Sequence, residues 1–264
     1  NHLDKRPSDY GLLADTLSVK TKEGYRLKGF LIKPKIDSPK AVIIMLHGIS
    51  GYKEGFLKAA QEMANEGIVS VIFDQRGHGE SEGEYCTYGF YEKQDVSKII
   101  DFVKKTYPNQ VMGIWGSSLG GAVAIQALEH DKRLNFGIIE STFTDLDAIV
   151  YDYMQHRLGF RNRFLAHWAL LEAGKIGNFE PNQVKPIESV KHIAQPIFIA
   201  HGDKDERIKV EYGQQLYDNA ASKDKTLEII QGAGHHNLSS IGGEAYAQKI
   251  NQFIKKTIDN LKQQ

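Results

Sequence analysis

Gly116-Ser117-Ser118-Leu119-Gly120 fits Gly-x-Ser-x-Gly, a spacing that can turn a serine into a nucleophile. The pattern places a serine on a tight strand-to-helix turn, where side chains two residues to either side would clash. Only Ser118 has glycine at both positions, and chance supplies roughly 0.1 such pentapeptides in a chain of this composition. A serine hydroxyl also needs a base to take its proton. Of the ten histidines, His235 and His236 follow Gly232-Ala233-Gly234 directly after an apolar run, and the two cannot both point inward. His235 is the preferred base and His236 the alternative. His130, His156, His167 and His192 fall on helical stretches or their ends, where surface or packing roles are expected. A carboxylate must hold the imidazole in the right tautomer. Asp203 and Asp205, in His201-Gly202-Asp203-Lys204-Asp205, are the first candidates, with Asp145 and Asp147 weaker ones. An oxyanion needs two N–H donors. Leu119 offers one at a helix start, and His47-Gly48-Ile49-Ser50-Gly51 offers Ile49, then Ser50. His47 reads as a residue that fixes this loop.

The elements that must position these groups follow from the hydrophobic pattern. Thr16–Lys20 and Tyr25–Ile32 read as a hairpin across Lys22-Glu23-Gly24. Then come short, unalternating apolar runs: Ala41–Leu46, Val69–Phe73, Met112–Trp115, Phe136–Ile139, Ile197–Ala200 and Leu227–Ile230. Such runs suit parallel strands covered on both faces. Amphipathic stretches separate them, at about Phe56–Asn65, Tyr91–Thr106, Leu119–His130, Tyr212–Ala221 and Glu244–Asn260. The alternation predicts an α/β fold: a mostly parallel, doubly wound sheet of about eight strands with an antiparallel N-terminal hairpin and helices on both faces. Residues 144–193 break the rhythm. They hold two helical stretches, Leu146–Leu158 and Phe164–Lys175, and many aromatics, and they predict a small helical lid on a single domain spanning 1–264. Phe143, just before it, and Tyr151, Phe164 and Trp168 within it are the expected substrate-binding residues.

Composition narrows the function. The chain has 264 residues, 33 Lys+Arg against 33 Asp+Glu, and 41% apolar residues. That balance argues against a nucleic-acid partner and against a polybasic membrane-surface protein. The longest apolar run, Ala41–Leu46, is far short of a membrane span. A single cysteine, Cys86, excludes an internal disulfide and a Cys-based zinc cluster, and no metal or cofactor is implied. Asn1–Tyr10 is polar and shows no signal peptide, which favours the cytoplasm; a removed anchor or export signal upstream of Asn1 is compatible with it. Nothing in the sequence fixes an oligomeric state.

Taken together, the motifs resemble the α/β-hydrolase superfamily, specifically its single-domain serine esterase and lipase-like members. The resemblance runs from Thr16 to the C-terminus. It rests on His47-Gly48 after a strand, on Asp74-Gln75-Arg76-Gly77-His78-Gly79-Glu80-Ser81, on the Ser118 turn, and on His201-Gly202-x-x-Asp205 with Gly234-His235. Ser117 stands where many relatives have His, and Ile208 where Val is usual. The resemblance implies Ser118 as nucleophile, His235 as base, Asp205 as its partner, and the N–H groups of Ile49 and Leu119 as oxyanion donors. Asp74–Ser81 would order the rim without reacting. The expected activity is hydrolysis of a small-molecule carboxylic ester with a small to medium apolar acyl or alcohol group, through an acyl-enzyme. Thioester or amide cleavage uses the same machinery. The rival from another class is a hydrolase-fold protein that binds a ligand with little turnover.

Overall fold

The computed structural model describes residues 5–263, so Asn1–Asp4 at the polar start lie outside the described residues. Eight strands form one sheet: β1 (Leu13–Lys20), β2 (Arg26–Lys33), β3 (Val42–Leu46), β4 (Val69–Phe73), β5 (Met112–Ser117), β6 (Phe136–Glu140), β7 (Ile197–Gly202) and β8 (Lys225–Ile230). Their spatial order is β1-β2-β4-β3-β5-β6-β7-β8. β2 runs antiparallel to both β1 and β4, and every other pairing is parallel. The fold class expected from the sequence is the one observed.

β3, β4 and β6 are buried along their whole length, as unalternating Val/Ile/Leu runs require. Helices α2 (Glu92–Thr106), α3 (Leu119–His130) and α7 (Val210–Asn219) cover one face, contributing Ile99, Val123 and Leu216 to its core. α1 (Leu57–Asn65) and α8 (Leu238–Lys262) cover the other, with Met63, Tyr246 and Phe253 among their buried side chains. α8 starts six residues earlier than its amphipathic pattern indicates. Gly243 breaks it with φ 57° and ψ −147°, so the regular part begins where the pattern does, at Glu244. Between β6 and β7 lie α4 (Leu146–Leu158), α5 (Arg163–Gly177) and the short α6 (Pro186–Ser189), with no strand among the described residues. No helix among the described residues is long and apolar enough to cross a membrane.

The turn after β4 is held by charge. Lys53, almost wholly buried, places its ammonium 2.8 Å from Asp74, 2.7 Å from Glu80 and 3.0 Å from Glu54. Burial works against that charge, but the three carboxylates outweigh it and hold the ammonium above its ordinary range. Asp74 also accepts the backbone N–H groups of Lys53 at 2.8 Å and Glu80 at 3.0 Å. Two residues on, Arg76 grips Asp95 of α2 with two bonds of 2.6 and 2.7 Å and reaches Glu23 beyond β1 at 3.0 Å. This is a fork on a planar carboxylate, a task lysine cannot copy.

Removing one member of a buried ion pair strands the other charge. Asp74→Ala is therefore expected to lower stability by about 3–5 kcal/mol. Glu80→Gln, whose side chain is 71% exposed, should lower it by less than about 1 kcal/mol. Equilibrium denaturation of the two variants checks the ranking. An equal loss in both would place the weight of the turn elsewhere.

Candidate active site

Ser118 sits between β5 and α3 with φ 56° and ψ −119°, a conformation that costs a side-chain-bearing residue on the order of 1–3 kcal/mol. The surroundings force it. A Cβ on Gly116 would come within 2.0 Å of the Gly120 carbonyl oxygen, and one on Gly120 within 2.0 Å of the Leu46 carbonyl oxygen. Only glycines let α3 begin so close to β3 and β5. The turn is then tied from both sides. Ser118 N donates to the Glu140 carbonyl at 2.8 Å, and Thr142 Oγ1 donates to the Ser118 carbonyl at 2.7 Å.

The hydroxyl meets an imidazole at once. Ser118 Oγ lies 3.0 Å from His235 Nε2, and His235 Nδ1 lies 2.8 Å from Asp205 Oδ2. The carboxylate can only accept from Nδ1–H, so Nε2 is left free to accept the serine proton. Asp205 is itself fixed: its Oδ1 accepts the N–H groups of Arg207 and Ile208, each at 2.9 Å. Burial would raise its pKa, but hydrogen bonds from His201 and His235 overcome this and hold the carboxyl well below the usual range.

The neighbours that compete on paper are occupied elsewhere. His236 packs edge-on against His235 and sits 2.7 Å from the Arg207 guanidinium. Asp203 accepts the Gly232 N–H at 2.6 Å, tying the turn after β8, rather than an N–H downstream in its own loop. Asp145 caps α4 by accepting from Ala148 N at 2.7 Å, and Asp147 is exposed. His130, His156, His167 and His192 are all exposed.

The loop after β3 faces the same serine. A Cβ on Gly48 would lie 3.2 Å from Ser118 Cβ, so the chain leading into Ile49 passes close beside Ser118. The N–H groups of Ile49 and Leu119 have no backbone or side-chain acceptor among the described residues. His47 holds the loop as expected. Its Nε2 accepts the Gln75 N–H at 3.0 Å, which leaves Nδ1–H to donate to the Gly48 carbonyl at 2.8 Å, while Gln75 Nε2 returns a bond to the His47 carbonyl at 2.7 Å. Burial drives the His47 pKa down to about 4.

A cavity of about 530 Å³ opens beside Ser118. Ile49, Leu119, Phe143, Ile208 and Tyr88 line it together with Leu146, Ile149, Val150, Tyr153, Met154, Arg157 and Leu158 of α4. Phe143 is where the sequence places it. Tyr151, Phe164 and Trp168 are not on the wall, which corrects their expected role. The reason is helical phase. Residues 146, 149, 150, 153, 154 and 157 share one face of α4, Leu158 joins them from the helix end, and Tyr151 lies off that face, its ring under the Arg161 and Arg163 guanidiniums at 5.4 and 5.1 Å. Phe164 and Trp168 belong to α5 and point outward. Aromatic content does not separate Tyr153 from Tyr151 and passes over Met154, whereas the i, i+3, i+4, i+7 spacing of α4 finds both; Tyr88 lies outside the interval altogether.

Residues 37–187 and 183–240 match the family model described as "Serine aminopeptidase, S33". The chain is 28% identical over 245 residues to the uncharacterized protein YqkD of Bacillus subtilis, covering 90% of this chain and 78% of that one. It is 28% identical over 195 residues to the lysophosphatidylserine lipase ABHD12 of Danio rerio, covering 70% of this chain and 48% of the lipase. Among solved structures, the Pyrococcus furiosus esterase Pf2001 superposes with a TM-score of 0.80 at 23% identity, over 97% of this chain and 96% of the esterase, a likeness of fold.

His47 gives this site a pH signature. The unfolded imidazole titrates near ~6.5 and the folded one at about 4, so below pH 6.5 the unfolded chain takes up a proton that the folded chain refuses. The stabilisation is present above that range and fades as pH falls toward 4, by on the order of 3 kcal/mol in all. His236 shifts the same way, through burial and then His235 and Arg207, but it is partly exposed and screened. Unfolding free energies of the wild type should therefore drop between pH 7 and 4.5, and His47→Gln should flatten the slope. An unchanged slope would assign the acid sensitivity to another group.

Proposed function

Since the chain belongs to the serine aminopeptidase S33 family, within the α/β-hydrolase superfamily, we propose that it is a serine hydrolase acting on carboxylic esters. The observation that carries this reading is the unbroken hydrogen-bond path from Asp205 through His235 to Ser118, opening on an apolar cavity. Ser118 Oγ attacks the acyl carbon as His235 Nε2 takes its proton. The N–H groups of Ile49 and Leu119 receive the charge on the carbonyl oxygen, helped by the dipole of α3. His235 returns the proton to the departing alcohol. Water, deprotonated by the same imidazole, then releases the acid from the acyl-enzyme. Asp205 keeps Nδ1 protonated and stabilises the imidazolium.

The cavity wall favours an ester over the peptide that the family description names. No Asp or Glu lines the cavity, whose one charged side chain is Arg157. A free α-amino group would enter as a cation with no anion to meet it. An apolar acyl chain between Phe143, Ile149, Val150 and Tyr153 buries well, at about 0.8 kcal/mol per CH₂. On this reading residues 144–193 form a lid on a single domain, with α4 supplying its working face. Thioesters fit the same machinery and differ only in the leaving group.

Ser118→Ala should abolish both fluorophosphonate labelling and ester turnover without loss of fold. Stoichiometric labelling of that variant would move the nucleophile to another residue, with Ser117 first. The acid is tested separately. Asp205→Asn keeps an oxygen for the Arg207 and Ile208 N–H groups but not the acceptor for His235, so kcat should fall about 10⁴-fold. Asp203→Asn disturbs one turn contact and should alter stability by on the order of 1 kcal/mol with kcat little changed. The reverse pattern in kcat and melting temperature would overturn the assignment.

A further inference from the structure

We propose that the α4–α5 hairpin docks the protein on the surface of an anionic phospholipid bilayer. α5 is anchored by modest groups: Ala166, Leu170 and Gly174 are its only buried residues. Its large apolar groups face away from the protein. Phe164 is 78% exposed and Trp168 56%, with Leu165 and Leu171 beside them on the outer face. The preceding turn continues the patch with Leu158, 59% exposed, and Phe160. A contiguous face of this kind, aromatic and uncovered, marks an interaction site. Its composition suits a bilayer interface, where tryptophan settles at headgroup depth and apolar neighbours enter the acyl boundary.

The charge around the patch selects the occupant. From Tyr153 to Leu171 the chain has Arg157, Arg161 and Arg163 and not one Asp or Glu, although the whole chain is neutral. Whole-chain composition averages this local excess away. Arg161 keeps one carboxylate, Asp152, at 3.3 Å, and Arg161 and Arg163 frame the Tyr151 ring at the root of the turn. A second copy of the chain fits poorly. A two-fold contact would set this arginine cluster against itself. An anionic headgroup layer meets the same arginines with opposite charge, at a gain that falls off within a Debye length. The patch is also continuous with the cavity at Ser118, because Arg157 and Leu158, which end α4 just before the turn, line that cavity. Docking there would bring a bilayer to the cavity mouth. The inference does not depend on the proposed chemistry, since binding can be read without turnover.

The chain's two tryptophans make the test direct. Trp115 is buried, so a change in emission on adding vesicles reports Trp168. Wild-type protein should co-sediment with phosphatidylcholine vesicles that contain phosphatidylglycerol and show a blue shift, both weakened by salt. Pure phosphatidylcholine should retain little protein. Arg161→Gln with Arg163→Gln should weaken binding to the anionic vesicles roughly 30-fold. Phe164→Ser with Trp168→Ser should abolish it, with melting temperature confirming that both variants fold. Absence of wild-type binding and blue shift would overturn the proposal without any variant. Equal binding to neutral vesicles, indifferent to the arginine changes, would overturn its electrostatic part. A blue shift that grows with protein concentration without vesicles, together with a dimer in light scattering that the Phe164/Trp168 variant lacks, would give the patch to a second copy.

Discussion

Three backbones meet at the start of α3, and the site depends on how closely they do so. Gly116, Gly120 and Leu46 approach within distances that leave no room for a Cβ at either glycine. Because α3 must start there, Ser118 is bent into a left-handed conformation, and its side chain leaves the sheet instead of pointing along it. The same closeness sets Gly48 against Ser118 and places Ile49 on the wall of the cavity beside it. The Glu140 carbonyl and the Thr142 hydroxyl then hold the strained peptide on either side. Backbone approach thus selects the glycines, the glycines permit the strain, and the strain aims the hydroxyl at His235.

Around this point the protein uses buried charge where other parts of the fold use apolar contact. Asp74 and Arg76 of the turn that backs His47 lie nearly out of solvent together with their partners Lys53, after β3, and Asp95, on α2. Buried ion pairs are weak contributors to net stability, but breaking one is expensive, so they punish any other arrangement of the loop. His47 links that charged turn to the loop above Ser118 through Gln75. Its low pKa follows from the same dryness that makes the ion pairs hard to separate.

The sheet and the polar chain were legible in the sequence because each rests on short-range rules. Strand runs announce themselves by composition, and Ser118, Asp205 and His235 each follow such a run, at the sheet edge where connecting loops gather. The choice between Asp203 and Asp205 was not decided by turn chemistry alone, since both stand in one tight loop. Distances separate them: one carboxylate turns in to His235 and the other out to Gly232. The cavity wall was the least legible part. Aromatic residues attract attention in a strandless interval, but a helix shows a wall only one face. Tyr153 and Tyr151 differ by two positions and end on different sides of α4. Trp168 and Phe164 are large and apolar yet lie outward, contrary to the usual rule for such residues.

The interval between β6 and β7 has one more property, set by where it begins and ends. β6 and β7 are parallel neighbours in register from Gly137 and Ile197, and Ser141 N donates to the Ala200 carbonyl at 2.9 Å. Because the strands are parallel, the sheet fixes the interval's two ends at opposite ends of neighbouring strands, on the order of 10–15 Å apart, whatever lies between them. The groups that hold Ser118 sit at or before Thr142, and the carboxylate and imidazole come after β7. The part of the interval before Pro186 thus forms a cassette that can change in length at modest entropic cost, whereas Val190 and Ile193 at the interval's end belong to the core of the sheet. A scaffold wired this way separates inheritance of the Ser118–His235–Asp205 hydrogen-bond chain from inheritance of the cavity wall beside it, and it can diversify the second while leaving the first untouched.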